Sequence, residues 1–360
     1  MNLPNEVVFE HFASVSNPNS IHGIYPYRGK ISALDAASII KQLPKDAVLL
    51  DPFCGSGTIV YEAQKHGLKA YGVDNNPLAI QIAKAKIFKQ SSKSLSLLND
   101  IILRASNDIN SGTVEKMPNE PLSHFHERTA KEIMAVKKYY TEMDDYLKGI
   151  YFGTIALSAR ACNGYLWTSS TVGKNKEIKD YCNFFEKLLA KAKKHSKHSL
   201  DETTTDSIIL HGDSRKLSEI LKPKSIDIVF TSPPYFDGLD YTAYYGKLIY
   251  EIFEKDRNAI KKELIQHANS YEDDMRIVLE ELDKVTSDNA LIIFVVGDKK
   301  VGKSIINGGG FFNNMKKASY IHERSYSGSA SAIFDAINKT DRKEQIVVWR
   351  KIDGMVKTYE

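Results

Sequence analysis

Cysteine is scarce in this sequence: Cys54, Cys162 and Cys182 are three residues in 360. The number is odd, the positions are far apart and none forms a Cys-x-x-Cys pair, so neither a disulfide framework nor a zinc site is expected. Free thiols fit a reducing compartment. Long apolar runs are missing as well. The longest obvious one, Ala290 to Val296, falls well short of the ~20 residues that span a bilayer. Met1 to Phe12 carries two glutamates and no lysine or arginine, which is not the layout of a signal peptide. These absences predict a soluble, cytoplasmic protein with no membrane partner. An excess of one charge is lacking too. Lys and Arg total 49 against 45 Asp and Glu, for a net +4. The pI of about 8.6 lies below the ~9 of strongly basic nucleic-acid-binding domains. Net charge therefore permits a nucleic-acid partner without indicating one.

What is present is alternation. Val48 to Leu50 is a short apolar run leading into Asp51-Pro52-Phe53-Cys54-Gly55-Ser56-Gly57-Thr58. Ile59 to His66 then reads as a helix closed by Gly67. Lys69 to Asp74 reads as a strand ending on an acid, and Pro77 opens a helix reaching about Phe88. This order opens a doubly wound α/β domain. The rhythm resumes with strand candidates at Ser207 to Leu210 and Ile226 to Phe230. It continues with a helix over Tyr271 to Val285, a buried strand at Leu291 to Val296 and a late strand at Glu344 to Arg350. Asn307-Gly308-Gly309-Gly310 marks a loop. From about Gln90 to Thr205 the chain is richer in Lys, Ser and aromatic residues and reads mostly helical. The expected division is residues 1–90, an inserted subdomain at 91–205, and residues 206–360.

Two loops carry chemistry. A glycine-rich turn between strand and helix lets a ligand approach the backbone, because glycine has no Cβ. Asp74, 19 residues after Gly55, is close to the ~20-residue spacing of an acid that binds ribose hydroxyls. Asp51 can accept from loop amides or from a cationic ligand group. No Gly-Lys-Ser/Thr follows, so the loop is not a P-loop, and no glycine follows Gly57 where a Gly-x-Gly-x-x-Gly pattern needs one. Cys54, inside a ligand-cradling turn, is expected to pack rather than to act as a nucleophile. The second loop, Thr231-Ser232-Pro233-Pro234-Tyr235, follows a strand and is stiff, because each proline has a fixed φ and no N–H. The carboxyl ends of strands are where open α/β sheets hold ligands. The Ser232 hydroxyl, the Pro233 carbonyl and the Tyr235 ring suit a planar base bearing an exocyclic amine.

The string from Asp51 to Thr58 resembles the cofactor loop of class I methyltransferases acting on amino groups of nucleic acids. Thr231 to Tyr235 resembles the catalytic motif of the amino-group (N4-cytosine/N6-adenine) DNA methyltransferases, in its Ser-Pro-Pro-Tyr form. In that family Asp-Pro-Pro-Tyr commonly goes with adenine and Ser-Pro-Pro-Tyr more often with cytosine. His22 to Lys30 resembles the segment that closes over the methionine end of the cofactor, and Gly212 to Arg215 the segment near its adenine ring. Lys343 to Lys351 looks like the closing strand. The resemblance implies S-adenosylmethionine as cofactor, held by Tyr27, Asp51, Phe53, Cys54, Gly55, Gly57, Thr58, Asp74, Asn75, Asp213 and Ser214. It implies Ser232, Pro233, Pro234 and Tyr235 as the catalytic set. An amino nitrogen would attack the sulfonium methyl in line, so positioning is the main catalytic requirement. The base would be flipped out of double-stranded DNA onto Tyr235, with Phe236 as a second ring. Tyr241, Tyr244 and Tyr245 follow, some for the core and some for the groove.

The order of motifs implies that the insertion, about 91–205, recognises the target. Lys191, Lys193, Lys194 and Lys197 form a basic run suited to phosphate contact, although a solvated helix face reads equally well. Arg160, Asn163, Tyr165 and Trp167 form a polar-aromatic cluster that could read base edges. The leading expectation is a DNA methyltransferase, cytosine-N4 favoured over adenine-N6, with a possible cognate restriction endonuclease. An RNA guanosine-N2 methyltransferase stays open as the alternative. It shares the glycine loop but usually carries Asp-Pro-Pro and a separate N-terminal RNA-binding module, and here only about twenty residues precede the first motif. A DNA-binding protein that keeps the fold without activity is a third reading.

Overall fold

The computed structural model describes residues 3, 4, 7, 20–27, 31–89, 91–165, 179–234, 240–267, 269–301, 304–316, 318, 320–326 and 342–351. The strands are β1 (Val48–Asp51), β2 (Lys69–Asp74), β3 (Ile208–His211), β4 (Ile226–Thr231), β5 (Thr286–Gly297), β6 (Lys299–Val301), β7 (Ser304–Ile306), β8 (Tyr320–Tyr326) and β9 (Arg342–Arg350). The main sheet has seven strands in the order β3-β2-β1-β4-β5-β9-β8, while β6 and β7 form a separate hairpin. Strands β1 to β5 run parallel, with Leu49 opposite Ala70 and Val229 opposite Ile292. β9 is antiparallel to both β5 and β8. The carboxyl ends of β1, β2 and β4 therefore meet at one edge, where both chemistry-bearing loops emerge.

The helices are α1 (Ala33–Ile40), α2 (Thr58–Lys65), α3 (Pro77–Ile87), α4 (Ser91–Ser111), α5 (Asn119–Leu122), α6 (Glu127–Lys137), α7 (Asp145–Cys162), α8 (Phe184–Ser196), α9 (Leu217–Ile220), α10 (Tyr245–Ile252), α11 (Arg257–Glu263), α12 (Tyr271–Val285) and α13 (Gly308–Met315). Successive side chains on a strand point to opposite faces, and the cores follow that alternation. Leu49, Ile228, Phe230, Ile293 and Val348 join α1 and α2 on one face. Leu50, Val229, Ile292, Phe294 and Trp349 join α9, α12 and α13 on the other.

The helical segment α4 to α8 packs against the α/β part. Its buried residues share one apolar cluster with Tyr61 of α2, Leu78 and Ile82 of α3, and Leu248 and Ile252 of α10. Contact with α3 is close: a Cβ at Gly149 of α7 would lie 2.3 Å from the Ala85 Cβ. One expected loop is a helix instead. Asn307 caps α13 by accepting from the Gly310 amide at 2.6 Å. The glycines after it serve close packing: a Cβ at Gly308 would sit 2.6 Å from the Gly297 carbonyl oxygen. Among the described residues no helix is long and apolar enough to cross a membrane.

Candidate functional site

The glycine loop is shaped by local necessity. Gly55 has φ +47 and Gly57 φ +73, a region that costs an L side chain roughly 1–2 kcal/mol. The Gly57 N–H donates to the Cys54 carbonyl at 2.7 Å, closing the turn before α2. Asp74, at the end of β2, then fixes the loop. Its Oδ2 accepts from the Gly55 amide and its Oδ1 from the Asn76 amide, each at 2.8 Å. Burial raises the Asp74 pKa, and those two amides act against the rise. Asn76 caps α3 directly before Pro77, accepting from the Leu78 and Ala79 amides.

The second loop is braced from beneath. Thr231, the last residue of β4, donates its hydroxyl to Asp51 Oδ1 at 2.6 Å, and the Phe53 amide donates to the same oxygen at 3.2 Å. One buried carboxylate thus joins both loops. Burial pushes Asp51 up to about 7 despite these hydrogen bonds. Beyond it, the Pro234 carbonyl accepts from the Tyr271 hydroxyl at 2.6 Å.

The loops open on one cleft of about 610 Å³, shared with solvent and lined among others by Tyr27, Gly55, Asp74, Asp213, Ser232 and Pro234. Phe53, Asn75 and Ser214 also line it, so most of the expected cofactor set is assembled there. Asp213 heads the short 3-10 helix Ser214–Lys216 and accepts from the Arg215 amide at 2.9 Å. Ser214 donates its hydroxyl to the Pro52 carbonyl, tying this wall to the glycine loop. Glu263, Leu264 and Ile265, together with Asn76, also line the cleft; this stretch carries no motif and was not foreseen. Tyr241 is one of the tyrosines that reach the cleft. Asp240 beside it accepts from Thr242, Arg257 and Lys261, anchoring that stretch to α11.

Residues 29–292, well over half of the chain, match the family model for D12 class N6 adenine-specific DNA methyltransferases. The chain belongs to that family. It is 21% identical to the Type II methyltransferase M.MjaII of Methanocaldococcus jannaschii, over 82% of this chain and 75% of that protein. It is 28% identical to the Type II methyltransferase M.MvaI of Kocuria varians over 56% of this chain, a match that spans about half, 49%, of that relative's length. An rRNA methyltransferase, AviRa of Streptomyces viridochromogenes, aligns over 91% of this chain and 88% of that one at 15% identity and a TM-score of 0.35, too distant to bear on the argument. The methyltransferase is an S-adenosylmethionine-dependent enzyme of DNA with the class I fold.

The cleft of this methyltransferase fits that cofactor. A Cβ at Gly55 would stand 3.3 Å from the Tyr27 ring, so the missing side chain lets that ring lie close against the loop backbone. The donor set is right in kind: a carboxylate at the end of β2 for ribose hydroxyls, the Asp213 carboxylate beyond it, and aromatic rings from Tyr27 and Phe53. Burial and the nearby Asp74 raise the Tyr27 pKa, keeping its hydroxyl protonated.

Several expected site residues stand outside the cleft. Asp51 is buried and engaged as above, so it braces loops rather than meeting a cationic ligand group. Cys54 packs in the core against β2: its amide donates to the Val73 carbonyl at 2.9 Å, and burial raises its thiol pKa. A Cβ at Gly57 would lie 2.7 Å from the Ala83 Cβ, so Gly57 serves the α2–α3 contact. Thr58 accepts from the buried Lys86 ammonium at 3.4 Å. Pro233 is buried between Ser232 and Pro234. Tyr235, Phe236 and Trp167, with Arg28 to Lys30, lie outside the described residues.

Two assignments in the insertion are corrected. Lys191 turns inward, donates to the Gly23 carbonyl at 3.2 Å and is lowered to about 8 by burial. A basic run does not tell which of its members faces the core. Asn163 caps the end of α7, donating to the His124 and Ala159 carbonyls and accepting from Lys179 at 2.8 Å. Its amide is thus used internally. Lys193, Lys194, Lys197, Arg160 and Tyr165 are exposed.

Proposed function

We propose that this methyltransferase transfers a methyl group to the exocyclic N4 amine of a cytosine turned out of double-stranded DNA. The observation that carries the reading is that Ser232 and Pro234 line the same cleft as Asp74. S-adenosylmethionine, when bound, supplies an electrophilic methyl on a sulfonium sulfur. The chain supplies alignment. The Ser232 hydroxyl, on the cleft, accepts one amine hydrogen, and the backbone carbonyl of Pro233, whose ring is buried beside it, is proposed as the second acceptor; both draw the nitrogen lone pair out of conjugation with the ring and stabilise the positive charge that builds on it. The Tyr235 ring stacks on the base, offsetting part of its unstacking cost.

The serine at position 232, where the family commonly has aspartate, supports cytosine. The adenine reading rests on the description of the matching family model. Both put the reaction at an exocyclic amine, and neither uses a cysteine nucleophile, since Cys54 is buried in the core.

The helical segment at 91–205 is proposed to recognise the target, with Arg160, Lys193, Lys194 and Lys197 toward the phosphates. The names of the two Type II relatives support a role in restriction–modification, beside a cognate endonuclease.

The test is to incubate the protein with isotopically labelled S-adenosylmethionine and unmethylated plasmid DNA, digest to nucleosides and analyse by mass spectrometry. N4-methylcytosine is the expected product. N6-methyladenine overturns the choice of base, and label in RNA alone overturns the choice of nucleic acid.

A further inference from the structure

The two loops must hold a fixed register, because transfer needs donor and acceptor aligned within a fraction of an ångström. The Asp51–Thr231 bond fixes their roots. Their outer parts are held elsewhere, by one turn of helix that the sequence motifs do not include.

That turn is the start of α12. Tyr271 and Asp274 are three residues apart and so share a helix face, and they are 3% and 9% exposed. The Tyr271 hydroxyl donates to the Pro234 carbonyl at 2.6 Å, on the target side. Asp274 accepts from Arg215 Nη1 at 2.8 Å, on the cofactor side. Arg215 extends this hold. Its Nε donates to both oxygens of Asp213 at 3.0 Å, and its Nη2 donates to Asp213 Oδ2 at 2.7 Å and to the Glu263 carbonyl at 3.1 Å. Asp213 and Glu263 both line the cleft. Ser270 completes the turn by donating to the second Asp274 oxygen at 3.0 Å.

A planar guanidinium forked onto one carboxylate and capped by a second has a defined orientation, which a lysine cannot reproduce. The turn itself is seated on the sheet by Met275, Val278 and Leu279. We infer that the first turn of α12 registers the two half-sites: Tyr271 positions the catalytic loop through Pro234, and the Asp274–Arg215 pair positions the cofactor wall through Asp213 and Glu263. Both are positioning residues. The inference rests on the proposed amine transfer for its turnover arm and on the cofactor alone for its binding arm.

The two arms predict opposite signatures. Tyr271→Phe keeps the ring against Phe311 and removes only the hydroxyl. It is expected to lower kcat on plasmid DNA about tenfold or more, as small misplacements do, with the S-adenosylmethionine Kd within twofold of the unaltered enzyme. Arg215→Lys is expected to weaken that Kd about tenfold, the factor for one charged hydrogen bond, while kcat at saturating cofactor stays within threefold. Calorimetry gives the Kd, turnover gives kcat, and thermal unfolding of each variant shows whether the fold is kept. Equal losses of kcat and affinity in both variants, or no loss in either with the fold intact, overturn the inference. Should the unaltered enzyme methylate no DNA, the proposed activity fails, and the Arg215→Lys affinity still decides the cofactor arm.

Discussion

Replacing Asp74 by asparagine changes one oxygen to an amide nitrogen and alters little else in shape. In the native site both carboxylate oxygens accept backbone N–H groups, from Gly55 and from Asn76, each at 2.8 Å. Whichever way the new amide turns, its NH2 faces one of these donors, so one charged hydrogen bond is lost and a donor is left opposite a donor. A hydrogen bond to a charged group contributes about 1.5–3 kcal/mol. The ribose loses the same carboxylate, so cofactor affinity is expected to fall roughly 10- to 150-fold. Isothermal titration of the variant with S-adenosylmethionine, against its thermal midpoint, separates affinity from folding. A folded variant binding within twofold of the unaltered protein would refute the assignment of Asp74 to the cofactor and the argument from the paired amides.

Ser232→Ala is expected to reduce kcat at least tenfold while leaving the cofactor Kd within twofold, checked by turnover and titration on the same preparation. Gly57→Ala meets φ +73 and places a Cβ 2.7 Å from the Ala83 Cβ and 2.9 Å from its Cα. Strain and overpacking together should cost about 2–5 kcal/mol, read from urea unfolding. The fourth prediction concerns pH. Asp51 is held near 7 by burial, above its unfolded value of 3.8. The folded state therefore keeps the proton more tightly, and the stability this provides is full below about pH 4 and lost as pH rises to about 7. Asp51→Asn should flatten that decline, which is at most ~1.4 kcal/mol per pH unit. Parallel thermal melts of the two proteins across pH 4 to 8 that fall alike would count against it.

The α/β half of the molecule was legible because its signals are local. Gly67 closes α2 at φ +85, and Pro77 opens α3 behind the capping Asn76. Helix α12 has the bounds expected, with Met275, Val278, Leu279 and Leu282 spaced to bury one face. Strand β5 runs longer than its apolar run because Thr286 already pairs with Ile226, ahead of the register shift after which Leu291 lies opposite Ile228. What escaped was long-range. The Glu263–Ile265 stretch is tied to the cleft by Arg215 and Asn75, which donate to the Glu263 carbonyl from remote positions in the sequence. The glycines at 308 and 309 read as a turn because their partners, Gly297 and Gln345, are remote in sequence. Lys191 shares a run with exposed lysines, but its stem lies half-buried where Ile24 closes on Gly153, a contact remote in sequence.

The most direct measurement is a crystal structure of the methyltransferase with S-adenosylhomocysteine bound. The account predicts the ribose hydroxyls on the Asp74 carboxylate, the adenine toward Asp213, and the sulfur facing Ser232 and Pro234. A ligand seated outside this cleft, or one whose sulfur points away from Ser232, would contradict it.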